Sequence, residues 1–456
     1  MSLTHPNRLV IAILLSTALT QAFALAGPLS PPPGPVASTP ALESRIPITQ
    51  STCPGDASNV FIIAAPGTYY LTGNMLVGAN QDGIRINSSH VKIDLNGYTI
   101  AGNAPTAKNG IVTAASTNSH TIVNGSITFF SNSAINFVNS QGARISDINA
   151  TLCGQVGVCV GAGSIVQRCL VGQASTGYVL FGDAITISDC TALNCSDTGY
   201  QIPSGCTASR CTATLCATGF YVFKRATLES CTARQGTTGF ASSGNSVLRG
   251  CSASGTSGAG FQCNPGDLLV DCSACDNFAA GFIVQGARVQ NCVAADNSTI
   301  GFLGTDTPSV FVGCLARNNN AGGINAHPGS VIRSCAVNDN NGFGIKVTTN
   351  TDVIDNTVKG NNLGISTPGI WCAGSAQSRN QISGNTVTQC DVGIQVDSSR
   401  NAIFANKLSG NTTAFSVAVD NRLGTIVTPG LTTTLVTGSS GGVPSGTTDP
   451  WANFVY

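Results

Sequence analysis

Charge is what this chain has least of. Only 9% of its 456 residues are charged, and the two signs cancel at 21 each. No basic run exists that would neutralise a phosphate backbone, which excludes a nucleic-acid partner. With four histidines in the whole chain, a His-based metal cluster is excluded as well. Beyond residue 26 no apolar run is long enough to span a bilayer. The low charge does not mean disorder. Hydrophobic residues make up 42% of the chain and recur periodically, and the 53 glycines follow no collagen-like triplet, so a long core can be buried.

One early segment stands apart. Residues 9–26, LVIAILLSTALTQAFALA, follow Arg8 and close on Ala24-Leu25-Ala26. This pattern reads as a secretory signal over residues 1–26, leaving no transmembrane segment once it is removed. Residues 27–45, opening GPLSPPPGPVASTP, read as a Pro-rich tether. The folded part is then exported (extracellular, cell-surface or periplasmic), where thiols meet an oxidising environment.

Repetition is what the chain has in abundance. Cys169, Cys190, Cys211, Cys231, Cys251, Cys272, Cys292, Cys314 and Cys335 stand 20 to 22 residues apart. Each has an apolar residue three before it in most coils and Ala or Val two after it, so cysteine and alanine share one face of a strand and point inward. A Gly-aromatic or Gly-aliphatic pair recurs in step, from Gly83-Ile84 through Gly219-Phe220 to Gly364-Ile365 and Gly393-Ile394. A unit this short cannot close its own core, so its apolar face is covered by the next unit. The repeat predicts an all-β parallel solenoid over residues 46–420, with about 16 coils and with residues 421–456 covering the open last coil. The aromatics of the pair are expected to stack in the bore. Asn277, Asn297, Asn319, Asn340 and Asn361 form a further column, read as turn residues that bond their own turn and ladder from coil to coil.

In the last coils asparagine replaces the cysteine, as in Val353-x-x-Asn356-x-Val358-x-x-Asn361 and Ile382-x-x-Asn385-x-Val387. With PGTYYLTGN at 66–74 and KIDLNGYTIAG at 92–102, this resembles right-handed parallel β-helix proteins of the pectin-lyase-like superfamily. The resemblance spans residues of about 60–420 and implies a single-stranded right-handed β-helix. Its members include polysaccharide lyases, hydrolases, adhesins and noncatalytic surface proteins. Of the polygalacturonase signatures only Asn350-Thr351-Asp352 is present. The aspartate cluster of a pectate lyase calcium site is missing.

The stacked cysteines read as buried thiols, because in-register side chains hold the Cβ atoms near the strand spacing and would strain a disulfide. A single column also fails to converge on a metal. Off the column, Cys195 with Cys216 and several lone cysteines leave room for one or two disulfides. Two polar groups are candidates for chemistry. Asp276, Asp296 and Asp339 follow the cysteines by four residues and would stack, as a carboxylate pair for a glycosidase or a calcium site under a lyase reading. Asp306, His327 and Lys346 fall on successive coils, with Asn325 beside them, where a base for β-elimination would stand. Trp371, in what reads as an eight-residue insertion between Gly364 and Gly393, is a stacking surface for a sugar ring. The expected function is a noncatalytic surface, scaffold or polysaccharide-binding role, with a lyase or hydrolase of acidic glycans as the alternative. No cofactor is expected, and Ca2+ enters only with that alternative.

Overall fold

The computed structural model describes residues 44–361, 367–374, 377–428, 436–438 and 449–456. The signal segment and all but the end of the tether lie outside these residues. One coil shows how the others are built. A short strand, Thr227–Glu229, meets a bend at Ser230, a second short strand follows at Thr232–Arg234, and a second bend falls at Gln235. A longer strand, Thr238–Ser242, then runs to a third bend at Asn245. Ser230, Gln235 and Asn245 all have positive φ, at 53°, 55° and 54°. Two of the three bends are followed directly by a residue turned inward. The third bend introduces Ser246, and the first introduces Cys231, both buried.

Ladders between strands are all parallel, each strand pairing with its equivalent one coil on, as Thr227 to Val247 and Phe240 to Phe261. The short strands make one bent sheet of 34 strands and the long strands a second of 18. Among the described residues the long-strand wall therefore defines about eighteen coils, two more than the repeat revealed. The two that the repeat did not reveal are Asn59–Ile63, where Val60 stands in the glycine position, and Val436–Gly438, which pairs with Thr413–Val417. A coil is held by backbone hydrogen bonds, so it forms without the signature glycine. At about 4.8 Å per coil the stack is about 86 Å long. The described part of the C-terminal tail adds further pairs: Asn453–Val455 lies beside both Lys407–Ser409 and Ile426–Val427.

The Gly-aromatic pair has a packing cause on each side. The aromatics stack from Tyr178 through Tyr200, Phe220, Phe240, Phe261 and Phe282 to Phe302, with centroids 4.6–4.8 Å apart and planes within 11°. All are fully buried. The preceding glycine is where the opposite wall comes closest. A Cβ on Gly219 would lie 2.6 Å from the Gly239 carbonyl oxygen and 2.8 Å from Cβ of Ala233. The alanine two residues after each cysteine is thus the partner of the glycine. Gly219→Ala is expected to cost about 1–3 kcal/mol through overpacking, read as a lowered midpoint in urea unfolding. An unchanged midpoint would show that the walls can part.

The cysteine column and its asparagine continuation are one hydrogen-bonded ladder. Backbone amides of the column donate to the side chain one coil on, as Cys169 N–H to Cys190 Sγ at 3.5 Å, Cys335 N–H to Asn356 Oδ1 at 2.9 Å, and Asn356 N–H to Asn385 Oδ1 at 3.0 Å. The side chains also donate to the coil below, Cys335 Sγ to the Phe311 carbonyl at 3.8 Å and Asn356 Nδ2 to the Ile332 carbonyl at 3.1 Å. A thiol is a weak donor and weak acceptor on one atom, and the amide does the same work on two. This explains why cysteine and asparagine exchange in the slot. All nineteen cysteines are unpaired, the off-column ones included, and only Cys275 is not buried. Burial pushes the Cys153 thiol up to about 11 and those of Cys159 and Cys372 to about 12. The thiolate is the reactive form, so these sulfurs are chemically quiet.

The second column corrects one expectation. Asn277, Asn297, Asn319, Asn340 and Asn361 are not the left-handed residues. That conformation belongs to the residues before four of them, Asp276, Asp296, Asn318 and Asp339, and to Gly360 before the fifth. The asparagines point inward and bond the neighbouring coil, as Asn297 Nδ2 to Asn319 Oδ1 at 2.9 Å. Turn geometry and ladder bonding are divided between adjacent residues.

Candidate functional site

From Thr198–Ile202 onward the long strands alternate. The aromatic column faces in, and the residue after each aromatic faces out. In register along the outside stand Tyr221, Ala241, Gln262, Ile283, Leu303, Asn325, Lys346, Trp371 and Gln395. This column carries two aromatic stations.

The first station is a groove of about 320 Å³ in the middle of the wall. It exists because Ala241 is small between Tyr221 and Gln262. Tyr221 and Phe223 are 39% and 40% exposed, whereas the rings of the inward column beside them are sealed. They brace each other edge to face at 5.0 Å. Along the groove lie Ser243, Gln262, Asn264, Gln285 and Thr305. Beneath it the buried carboxylate of Asp267 holds the rim in place, accepting from the Asn264 amide at 2.9 Å, the Ser242 hydroxyl at 3.0 Å and the Ser246 amide at 2.8 Å. Burial raises its pKa, opposed by those bonds.

The second station centres on Trp371. Its strand, Pro368–Cys372, pairs with Phe343–Val347 and Val392–Val396, and Gly369-Ile370 takes the repeat position. Gly364-Ile365, assigned to that position from sequence, lies outside the described residues. The inserted length is shared between the two neighbouring connections, so Trp371 sits on the wall and not in a loop. Lys346 Nζ lies 4.4 Å from the centre of the Trp371 ring and 5.7 Å from that of Phe343. The indole Nε1–H donates to Asp397 Oδ2 at 2.7 Å, and Gln395 Nε2 donates to Asp397 Oδ1 at 2.9 Å. Lys346 and Trp371, which the sequence offered separately, are therefore one cluster. Phe343, Gln395 and Asp397 were missed.

The other candidates are dispersed. Asp276, Asp296 and Asp339 lie on the bend before the long strand, at φ of 56°, 57° and 54°, and Asp296 Oδ1 accepts from Asn318 Nδ2 at 3.1 Å. Asp306 and His327 lie on the connection after it. Asp306 accepts from Gln285 Nε2 at 3.2 Å, at the margin of the first station, and His327 Nδ1 is 2.9 Å from the Pro328 carbonyl oxygen. Lys346 turns away from both, toward Trp371. Among the described residues no three His, Cys, Asp or Glu side chains come together as metal ligands, and no helix is long and apolar enough to cross a membrane.

A sequence family described as "right handed beta helix region" matches residues 204–331 and 264–413, together just under half of the chain. No curated protein matches the sequence. Among solved structures it is similar to the A-module of the Azotobacter vinelandii mannuronan C-5 epimerase AlgE4, at 12% identity over 77% of this chain and 88% of that one, with a TM-score of 0.34. It is also similar to the periplasmic alginate epimerase AlgG, at 11% identity over 90% and 82% with a TM-score of 0.30. A third is the tailspike protein of E. coli bacteriophage HK620, at 12% identity over 86% and 71% with a TM-score of 0.38. Superpositions this loose place no residue of the wall. The resemblance read from the repeat stands on the family match and on the chain's own parallel ladders.

Proposed function

We propose that this chain, a right-handed parallel β-helix protein in its repeat and its strand pairing, is an exported, noncatalytic glycan-binding protein whose ligand lies along the outer face of the long-strand wall. The observation that carries the reading is that two aromatic stations share one face, exposed at Tyr221 and Phe223 and half-buried at Trp371, with amide and hydroxyl side chains around the first and Asn325 between the two. Sugar rings offer apolar faces to aromatics and hydroxyls to amides, and this wall supplies both. Export is supported by the segment at residues 9–26. Thiols buried at every position but Cys275 would be shielded from oxidants in the compartment it leads to.

Binding is favoured over turnover because the carboxylates near the stations are already engaged: Asp306 by Gln285, and Asp397 by Trp371 and Gln395. Affinity electrophoresis against a panel of immobilised polysaccharides tests the reading. Tyr221→Ala and Trp371→Ala should each weaken retention, by about 1 kcal/mol or roughly fivefold, while Asp276→Ala on the other corner should leave it unchanged. Release of new reducing ends or of unsaturated products from any bound polymer would replace this reading with the enzymatic one.

A further inference from the structure

Resting on the glycan-binding reading, we infer that the ligand is an uncharged polymer lying parallel to the rod axis and long enough to touch both aromatic stations at once. Two features support this, the charge state of the wall and its length.

A polymer of uronic acids presents a carboxylate on every ring and calls for unpaired cations or a bound metal ion. The first station has neither. Its lining is Tyr221, Gln262, Asn264 and Gln285 with serine and threonine hydroxyls, and the carboxyl groups tied to it are Asp267 beneath the rim and Asp306, held by Gln285. Lys224 and Arg225 stand on the exposed turn beyond Phe223 and do not line the groove. The second station does contain a cation, but Lys346 is laid over the Trp371 and Phe343 rings, with the Asp397 carboxylate on the same indole. Its charges are answered locally, and the cluster is close to neutral as a unit. His327 bonds back to its own chain. The wall thus offers stacking surfaces and neutral donors and acceptors, the chemistry that recognises a hexose or pentose without a carboxylate or sulfate.

Length follows from register. From Tyr221 to Trp371 the outward column advances seven coils, or about 34 Å at 4.8 Å each. Ile283 and Leu303, both half-buried, and Asn325 carry the surface between the stations. A sugar ring in an extended chain advances by roughly the rise of one coil, so a chain of about seven rings bridges the stations and a trisaccharide reaches only one. Linking two weak sites through one ligand raises affinity by effective concentration without new contacts.

The test is calorimetric titration of the intact protein with size-graded neutral oligosaccharides (glucan, mannan and xylan series) beside polygalacturonate and alginate oligomers of matched length, at low and high salt. The expected result is that a neutral series binds, that salt changes its affinity by less than about twofold, and that affinity rises at least about tenfold as chain length passes the bridging size. Tyr221→Ala and Trp371→Ala should each bring the long chain down to short-chain affinity, while Trp371→Phe, which keeps a ring but loses the Asp397 bond, should retain most of the gain. Uronate chains binding more tightly, with affinity falling as salt rises, would overturn the inference and leave the glycan-binding reading intact. A neutral series with no length dependence, or one sensitive to only one station, would overturn the bridging geometry. If no polymer of either kind binds to protein shown by its thermal transition to be folded, both the inference and the reading beneath it fail.

Discussion

Replacing Asn319 with alanine is expected to lower the unfolding free energy by about 3–5 kcal/mol, the largest effect of any single polar substitution considered for this rod. Asn319 is fully buried and its amide works in both directions. Its Oδ1 accepts from the Asn297 backbone amide at 3.2 Å and from Asn297 Nδ2 at 2.9 Å, and its Nδ2 donates to the Ala294 carbonyl at 3.0 Å and to Asn340 Oδ1 at 2.9 Å. Alanine removes all four bonds and leaves their partners facing a space lined by protein. Each buried group left unsatisfied costs about 1–3 kcal/mol, and the costs are not additive. The neighbouring Asn320 is the control. It lies on the surface and accepts one exposed bond from Asn341, so Asn320→Ala should cost less than about 0.5 kcal/mol. Urea unfolding reports the total, and amide hydrogen exchange shows whether the loss is confined to the coils around residues 297–340, as a stack of nearest-neighbour units requires. A loss below about 1 kcal/mol for Asn319→Ala would mean that the ladder amides are replaceable by water.

Acid is expected to destabilise the rod through His120 before it protonates most carboxylates. His120 is fully buried with its edge toward Phe137, ring centroids 5.5 Å apart, and neither ring nitrogen has a hydrogen-bond partner. Burial lowers its pKa from 6.5 to about 4. The unfolded chain therefore binds a proton that the folded chain refuses. Stability from this residue is intact above about pH 6.5 and is lost as the pH falls toward 4, by about 3 kcal/mol at 1.36 kcal/mol per unit. His120→Leu should flatten the stability curve across that window, whatever it does to stability at neutral pH. Asp147 and Asp189 add a loss at lower pH, since the bidentate arginines Arg168 and Arg210 depress their pKa. Both pairs are exposed, so their share is small. A wild-type curve that is level between pH 6.5 and 4 would show that the imidazole finds water or a partner on protonation.

These two residues differ in how far the sequence exposed them. Asn319 was visible as part of a column because its spacing repeats, although the division of labour with Asn318 was not: which of two adjacent residues takes positive φ is a question of backbone geometry, and both are asparagine. His120 was legible only as a lone histidine. Its burial follows from its position just after a bend, in a slot that later coils fill mostly with alanine, serine or asparagine, and a slot is recognised only after the coils have been aligned.

The inward half of this protein was written in its one-dimensional pattern. Parallel in-register stacking places each residue directly over its equivalent one period away, so the cysteine column, the aromatic stack and the glycine that admits the facing alanine all recur as spacings in the chain. The outward half obeys no such rule, because solvent tolerates any residue there. What gathers on the outside depends on the number of coils, on where an insertion is absorbed and on the register of strands whose connections differ in length. Strand pairing alone set Trp371 beside Lys346 and Asp397, and a single small residue, Ala241, opened the groove at Tyr221. Sequence periodicity determined the rod, and tertiary register decided the surface that it offers.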